Sequence, residues 1–230
     1  MAKKQSRLAG TVAVVAALVA GAYWVYTEYV EDGSGRSGGD LGEYAPFTAS
    51  FTGRELVALI EALPVAEEVG EGYDRSLFPH WSDADGDGCH ARHETLLAED
   101  RSESLGEADC GADMTGRWVS MFDGETVTEA GDLDVDHFVP LKEAWDSGAH
   151  GWSTERRESY ANSLERPWHL VAVTASSNRS KSDQDPADWM PPLDQVRCGY
   201  VWAWVEVKTE WDLTVDPAEA EALLDHAGDC

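Results

Sequence analysis

The chain has 230 residues, of which 44 are Asp or Glu and 17 are Lys or Arg, so its formal net charge is −27 with histidine neutral. This length suits one domain with appendages and excludes a large multidomain enzyme. The acidity excludes a polybasic, histone-like binder, and a hydrophobic fraction of 43% with 10 Trp excludes a fully disordered acidic chain.

The first 30 residues predict an export signal or a membrane anchor. Three basic residues precede an uncharged run from Leu8 to Tyr26, which approaches the ~20 residues that a membrane-spanning helix needs. The small residues Ala20 to Ala22 offer a cleavage site for the alternative, a removed signal. Positive charge before the run keeps that end cytoplasmic, so the remainder is expected outside the cell, anchored or secreted.

The composition changes after this segment. Residues 31–46 are rich in Gly, Ser and Asp without periodicity and predict a flexible linker. Residues 47–230 are expected to form the extracellular domain.

Further along the chain, the expected elements have ordinary local signals. Thr52 and Glu55 have the spacing of a capping box, and apolar residues follow at helical spacing until Pro64. The other expected elements, in chain order, are strand Leu133–Phe138, helices Pro140–Ser147 and Thr154–Leu164, strand Leu170–Thr174, helix Val196–Lys208 and a helix capped by Asp216. This pattern predicts an α+β fold with few strands.

Export also bears on the cysteines. The chain has four and no C-x-x-C pair, so two disulfides are expected outside the cell rather than a zinc ribbon. Three pairings are possible, and sequence alone does not choose between them. We favour the two that close the shortest loops, Cys89 with Cys110 and Cys198 with Cys230.

An acidic stretch matches the spacing of a calcium-binding loop. Asp83, Asp85, Asp87 and Glu94 occupy positions 1, 3, 5 and 12 of D-x-D-x-D-G-x5-E. The residues before Asp83 contain no helix signal, and a disulfide at Cys89 would constrain the loop. The stretch therefore indicates either a Ca²⁺ site or an acidic turn.

The residues most suggestive of chemistry lie at the ends of the two central strands. Asp136 and Asn178 offer the carboxylate and amide oxygens that Mg²⁺ or Mn²⁺ accepts, and His137 can act as a general base near neutral pH. Arg179 and Lys181 can hold a phosphate. These types together predict metal-assisted phosphodiester hydrolysis.

The same segments carry a family resemblance. DVDHFVPL at 134–141 followed by NRSKSD at 178–183 resembles the HNH, or ββα-metal, nucleases, including the HNH domain of RNA-guided CRISPR nucleases. With AWDSGA at 144–149 and RRESYANSL at 156–164, residues 73–230 are similar to exported actinobacterial HNH proteins that carry the C-terminal domain of GmrSD-type restriction endonucleases. The resemblance implies a ββα-metal core at about residues 133–185, embedded in helices.

It also implies roles for individual residues. Asp136 and Asn178 would be metal ligands and His137 the general base, with Asp134, Arg179 and Lys181 in support. The middle Asn of the family pattern aligns by spacing with His169, so either the His169 ring steadies the loop that holds the base or Asn162 does. In these relatives an Arg and a Glu follow the acidic loop, so Arg92 and Glu94 offer a third interpretation of that region, as a buttress of the active site.

We therefore expect an extracellular, monomeric endonuclease with a divalent cation, Mg²⁺ or Mn²⁺, and a DNA substrate, with RNA as the alternative. From residue 135 to 181 the chain has six basic and six acidic residues, which predicts a neutral region on an acidic body and weak, sequence-independent binding. The rival hypothesis is a non-catalytic, calcium-stabilised binding module on a degenerate HNH scaffold. A different metal hydrolase is a third, disfavoured by the lack of His-rich metal spacing.

Overall fold

The computed structural model describes residues 51–102, 104–106, 110–111 and 113–230. The predicted signal or anchor at residues 1–30 and the linker at 31–46 lie outside the described residues. Within the described ranges, no helix combines the length and the apolar character required to cross a bilayer.

The strands form two antiparallel pairs. Strand β1 (Thr115–Val119) pairs with β2 (Thr126–Glu129), and β3 (Leu133–His137) pairs with β4 (Leu170–Thr174). The second pair confirms the two predicted strands. The β1–β2 hairpin was not predicted, because its short strands are largely exposed and carry no clear alternation of apolar residues.

Helices supply the rest of the regular structure. In chain order they are α1 (Gly53–Ile60), α2 (Ala91–Glu99), α3 (Leu141–Asp146), α4 (Thr154–Ala161), α5 (Ala175–Lys181), α6 (Arg197–Glu210) and α7 (Pro217–Gly228). Short 3₁₀ turns lie at Arg75–Leu77, Ala130–Asp132, Ala149–Gly151 and Asp194–Val196. The predicted capping box at Thr52 is present at the beginning of α1, and Asp216 is the N-cap of α7 as predicted, with a capping box of its own. The predicted α+β class is confirmed.

The central unit is β3, β4 and α5. Residues 138–169, which carry α3 and α4, connect the two paired strands, and α5 begins directly after β4. Side chains alternate between the faces of a strand, so Asp134 and Asp136 share the face of β3 that α5 covers. Leu133 and Val135 lie on the opposite face.

That opposite face belongs to an apolar core. It is covered by α2 and the β1–β2 hairpin, and Trp118 donates a hydrogen bond through Nε1 to the Leu96 carbonyl at 2.7 Å. The core residues are Ala91, Leu96, Met114, Trp118, Ala130, Leu133, Val135, Leu170 and Ala172. Burial of this face fixes the register of β3, because a slip of one residue would turn its carboxylates into the core.

The disulfides confirm the predicted pairing. Cys89 is bonded to Cys110, and Cys198 is bonded to Cys230. The second bond joins the first turn of α6 to the residues just after α7.

A buried ion cluster joins three helices next to β3. Lys208 of α6 has no exposed surface, and its Nζ lies 2.6 Å from carboxylate oxygens of both Glu143 in α3 and Glu219 in α7. The ammonium also donates to Ser147 Oγ and the Thr214 carbonyl, each at 2.9 Å. Because buried charges are stable only when paired and hydrogen-bonded, this cluster sets the position of α3, which directly follows the β3 end.

Candidate active site

Two carboxylates of β3 meet two polar side chains of α5. Asn178 Nδ2 donates to Asp134 Oδ2 at 3.0 Å, and Lys181 Nζ donates to Asp136 Oδ2 at 2.6 Å. The spacings match, because residues two apart lie on one face of a strand and residues three apart lie on one face of a helix. The structure thus brings all four predicted residues together, with Asp136 bonded to Lys181 and Asn178 to Asp134.

The α5 helix is held in place at its beginning. Thr174 is its N-cap and accepts from Ser177 N. Asp123, in the turn between β1 and β2, accepts hydrogen bonds from the hydroxyls of Thr174 and Ser177. The hairpin therefore fixes the helix that carries Asn178 and Lys181.

His137 lies at the end of β3 and is 4% exposed. Its Nε2 lies 2.8 Å from the Ala161 carbonyl oxygen. Because a carbonyl only accepts, Nε2 carries the proton and Nδ1 is left as the basic nitrogen. Nδ1 of His169 is buried without a hydrogen-bond partner, and Nδ1 of His137 is not buried in this way. Burial lowers the pKa of His137 well below its usual value, so the ring is neutral at neutral pH.

His169 bonds to the neighbouring carbonyl. Its Nε2 lies 2.6 Å from the Tyr160 carbonyl oxygen, and its own carbonyl accepts from Phe138 N at 3.0 Å. Burial lowers the pKa of His169 to about 4, so this ring is also neutral and Nε2 is the donor. The last carbonyls of a helix have no partner within the helix, and at the end of α4 two histidine rings bond to two of them.

Asn162, the C-cap of α4, connects this end to an earlier segment of the chain. Its Nδ2 donates to the Pro79 carbonyl at 2.8 Å, and its Oδ1 accepts from Ser82 N at 2.7 Å. Trp81 between them has φ of 61°, and its ring centroid lies 5.6 Å from that of His137. Of the two candidates for the supporting role, His169 therefore contacts the backbone next to His137, and Asn162 contacts the segment that carries Trp81.

Burial and pairing set the charge of the Asp136–Lys181 pair. Asp136 is 8% exposed and Lys181 is 0% exposed. Burial raises the pKa of Asp136 to about 6, against the opposing effect of Lys181, and burial lowers the pKa of Lys181. Since an Asp pKa near 6 still favours the carboxylate at pH 7, Asp136 is ionised at neutral pH.

The oxygen donors present fit a hard cation. Lys181 bonds to only one oxygen of Asp136, and Asp134 bonds to the amide nitrogen of Asn178. Among the described residues, Asp136 Oδ1 and Asn178 Oδ1 receive no hydrogen bond. A carboxylate and an amide oxygen are ligands of the kind that Mg²⁺ and Mn²⁺ accept.

The two predicted phosphate-binding residues differ in exposure. Arg179 is exposed on α5, whereas Lys181 is fully buried and its Nζ also donates to the His137 carbonyl at 3.1 Å. Lys181 therefore contacts Asp136 and the backbone of His137 rather than solvent.

The acidic loop before α2 has converging carboxylates. Oxygens of Asp83, Asp85 and Asp87 all lie within 4.8 Å of one another. Asp83 accepts from Gly86 N and Gly88 N at 2.8 and 3.0 Å. Glu94 lies in the first turn of α2, and burial followed by the charges of these three carboxylates raises its pKa. As expected, no helix precedes the loop in residues 78–82.

Arg92 joins α2 to the beginning of β3. Its guanidinium donates to the carbonyls of Ala130 and Leu133 at 3.2 and 3.0 Å. Leu133 begins β3, so Arg92 fixes α2 against the strand that carries Asp136 and His137. Trp81 was not predicted to lie next to His137, because residues 73–82 have neither helical nor strand periodicity.

Known proteins that are similar to this chain indicate its family. The profile of the family described as GmrSD restriction endonucleases, C-terminal domain, matches residues 97–226. A protein of Arthroderma benhamiae described as an uncharacterized secreted protein is 44% identical over 182 residues, which is 79% of this chain and 86% of that protein. No solved structure matches the chain. The profile covers more than half of the chain and contains β3, β4 and α5, so the chain belongs to the family of the C-terminal domain of GmrSD restriction endonucleases.

Proposed function

We propose that this chain is a metal-dependent endonuclease that hydrolyses phosphodiester bonds of DNA with little sequence specificity, at an HNH-type site formed by Asp136, His137 and Asn178. Membership of a restriction endonuclease family supports the nuclease class. The relative described as secreted and the two disulfides support action outside the cytoplasm.

The observation that carries the proposal is the state of His137. A general base must be neutral, held in one orientation and able to accept a proton. The Ala161 carbonyl holds Nε2–H, and burial keeps the ring neutral. Nδ1 of His137 then takes the proton of the water molecule that attacks the phosphorus.

A divalent cation, Mg²⁺ or Mn²⁺, fits beside this base. Asp136 Oδ1 and Asn178 Oδ1 would hold it, and when bound it would supply positive charge that stabilises the phosphorane and the leaving oxygen. Asp134 orients the Asn178 amide so that its oxygen, and not its nitrogen, is free. Lys181 orients the Asp136 carboxylate in the same way.

A second candidate function rests on the acidic loop. The convergence of Asp83, Asp85 and Asp87, with Glu94 nearby, favours a bound Ca²⁺ that stabilises α2. A non-catalytic, calcium-stabilised binding module is the resulting alternative, and a nuclease that also binds Ca²⁺ satisfies both observations.

Cleavage of supercoiled plasmid DNA tests the proposal. The purified full-length chain is incubated with plasmid and Mg²⁺ or Mn²⁺, and nicked and linear products are followed on a gel. We expect nicking that stops on addition of EDTA and falls by at least a hundredfold in His137→Gln, since general-base catalysis contributes roughly 10²- to 10⁴-fold.

The matched control is His226→Gln, at a partly exposed histidine of α7, which should cut like the wild type. Circular dichroism confirms that both variants are folded. If the wild type fails to cut with any divalent cation, the nuclease proposal is excluded. If His137→Gln cuts as fast as the wild type, the general base is another residue.

A further inference from the structure

The hydrogen bond between His137 and Ala161 does not by itself fix the plane of the histidine ring. The carbonyl contacts the imidazole at one atom, Nε2. Rotation about χ2 of a histidine has a broad, roughly two-fold energy profile, so the ring can turn unless its face is also held. A misplacement of about 1 Å can cost an enzyme about a hundredfold in rate. A general base therefore needs a second contact that holds its ring.

Trp81 makes that second contact. The centroid of its ring lies 5.6 Å from that of His137, and the two ring planes are inclined by 34°. Aromatic rings attract one another at centroid distances of about 4.5–7 Å. Because the two planes are closer to parallel than to perpendicular, rotation of the imidazole about χ2 would push one of its edges towards the indole. The indole thus opposes that rotation.

The indole is itself packed on its other sides. The side chain of Trp81 is half-buried and lies against the apolar core that α2 shares with β3. The rings of His80 and His90 lie 5.6 and 6.4 Å from it, measured between centroids. Closely packed side chains yield little to a neighbour that moves. The indole therefore presents a fixed surface to His137.

The backbone of Trp81 is held as firmly as its ring. Its φ is 61°, a value that a bulky residue rarely adopts and keeps only where surrounding contacts impose it. Asn162 supplies these contacts by donating to the Pro79 carbonyl and accepting from Ser82 N. Ser82 Oγ also donates to Glu158 at 2.9 Å. Strained backbone of this kind is concentrated at functional sites.

Both contacts of the His137 ring depend on the same end of α4. Ala161, the last residue of the helix, provides the carbonyl that bonds to Nε2. Asn162, the C-cap, holds the backbone on both sides of Trp81. The carbonyl and the indole are therefore fixed relative to each other by two consecutive residues.

We propose that Trp81 is a positioning residue for His137, whose ring is held in one orientation by the indole and the Ala161 carbonyl together, with Nδ1 left available. The inference rests on the proposed function for the role of His137 as the base. The family match begins at residue 97, so it does not include Trp81 and assigns no role to it.

NMR of the histidine rings tests this inference without cleavage. Long-range ¹H–¹⁵N spectra of the full-length chain, in EDTA at neutral pH, distinguish protonated from unprotonated ring nitrogens, and the signals lost in His137→Gln assign that ring. Wild-type His137 should show a single tautomer with Nε2 protonated. Trp81→Met replaces the indole with a flexible chain and should give averaged nitrogen signals, because a turning ring loses its bond to the Ala161 carbonyl. Trp81→Phe should keep the wild-type pattern.

Plasmid nicking with Mg²⁺ by the same variants provides the second measurement. Trp81→Met should lower kcat roughly 10- to 100-fold, as loss of a supporting contact does, and leave KM unchanged. Trp81→Phe should lose less. The matched control is Trp152→Met, at a half-buried tryptophan whose ring contacts Tyr160 and Trp211. This control should match the wild type in both measurements.

The outcomes separate this inference from the proposed function. Wild-type His137 signals in a folded Trp81→Met variant would overturn the role of Trp81, whether or not kcat falls, and would leave the nuclease proposal standing. Averaged signals in Trp81→Met, beside a wild type that never cuts, would support the role of Trp81 and overturn the nuclease proposal. If Trp81→Met does not fold, Asn162→Ala decides, because it frees the backbone of Trp81 and keeps the indole. An unchanged His137 spectrum in Asn162→Ala would then overturn the inference.

Discussion

His137 and His169 bond to consecutive carbonyls at the end of α4, with Nε2 of His137 2.8 Å from the Ala161 oxygen and Nε2 of His169 2.6 Å from the Tyr160 oxygen. The ring of His169 has no access to solvent through Nδ1, so it takes no part in proton transfer. It holds the backbone at Tyr160, and the carbonyl of the next residue, Ala161, orients the ring of His137. We infer that His169 is a positioning residue for His137.

The first prediction concerns that role. His169→Leu removes the donor to the Tyr160 carbonyl and should reduce kcat for plasmid nicking roughly 10- to 100-fold, as loss of an outer-shell contact does. KM should stay unchanged, because the substrate does not touch His169. His169→Gln retains an N–H donor and should lose less. Equal kcat values for Leu and Gln variants that both melt near the wild-type temperature would contradict this role.

The second prediction concerns acid stability. Burial lowers the pKa of His169 to about 4, while the same ring in the unfolded chain titrates near 6.5. The stability that this difference contributes is complete above pH 6.5 and is lost as the pH falls towards 4. It amounts to at most about 3 kcal/mol, at 1.36 kcal/mol per pKa unit.

Urea denaturation of the wild type and His169→Gln at several pH values between 4 and 7 measures this contribution. As the pH falls, the free energy of unfolding of His169→Gln should decrease less steeply than that of the wild type. The difference between the two slopes should correspond to the uptake of at most one proton on unfolding. Parallel curves would show that His169 takes up its proton in the folded state as readily as in the unfolded state.

The third prediction concerns the Asp136–Lys181 pair. Lys181→Met leaves the Asp136 carboxylate buried without its partner, and removal of one member of a buried ion pair costs about 3–5 kcal/mol. The double variant Asp136→Asn/Lys181→Met should recover part of that loss, because no buried charge remains. The measurement is the free energy of unfolding in urea at pH 7.

An exposed ion pair provides the comparison for this prediction. Asp212 pairs with Arg156 at the surface, and Asn tolerates the φ of 54° found at residue 212. Asp212→Asn should therefore cost less than about 1 kcal/mol. A Lys181→Met variant as stable as Asp212→Asn would show that solvent reaches Asp136 when the lysine is absent.

The fourth prediction concerns Ca²⁺ at the acidic loop. Addition of CaCl₂ to the EDTA-treated full-length chain should raise its melting temperature, because an ion that binds the folded state stabilises it by mass action. Asp85→Asn should remove most of the shift. Asp225→Asn, at an exposed carboxylate of α7, should keep it. A shift that persists in Asp85→Asn would assign Ca²⁺ to other carboxylates.

Local signals predicted much of the fold. The capping residues of α1 and α7, the two central strands and both disulfide pairs depend on short-range patterns or loop lengths, and the structure confirms them. The β1–β2 hairpin and the conformation of residues 73–82 were missed because tertiary contacts, such as those of Asn162 with Pro79 and Ser82, hold segments that have no periodic pattern of apolar residues.

The candidate site shows the same division. Spacing predicted that Asp136, His137, Asn178 and Lys181 lie in one candidate site, and in the structure Lys181 contacts both Asp136 and the His137 carbonyl, with Asn178 bonded to Asp134. Spacing did not reveal which side chain bonds to which, since that depends on the depth at which α5 packs on β3. The burial of Lys181 is a property of the assembled protein, and only the structure reveals it.

The connection between β3 and β4 also bears on how the protein folds. Residues 138–169 must close into a loop before β3 and β4 can pair, and the entropic cost of that closure precedes any gain from the strand contacts. Asp136 and Asn178 lie on opposite sides of this loop along the chain, and neither disulfide spans it. The two candidate metal ligands therefore come together only once β3 and β4 have paired, whether or not the cysteines are oxidised.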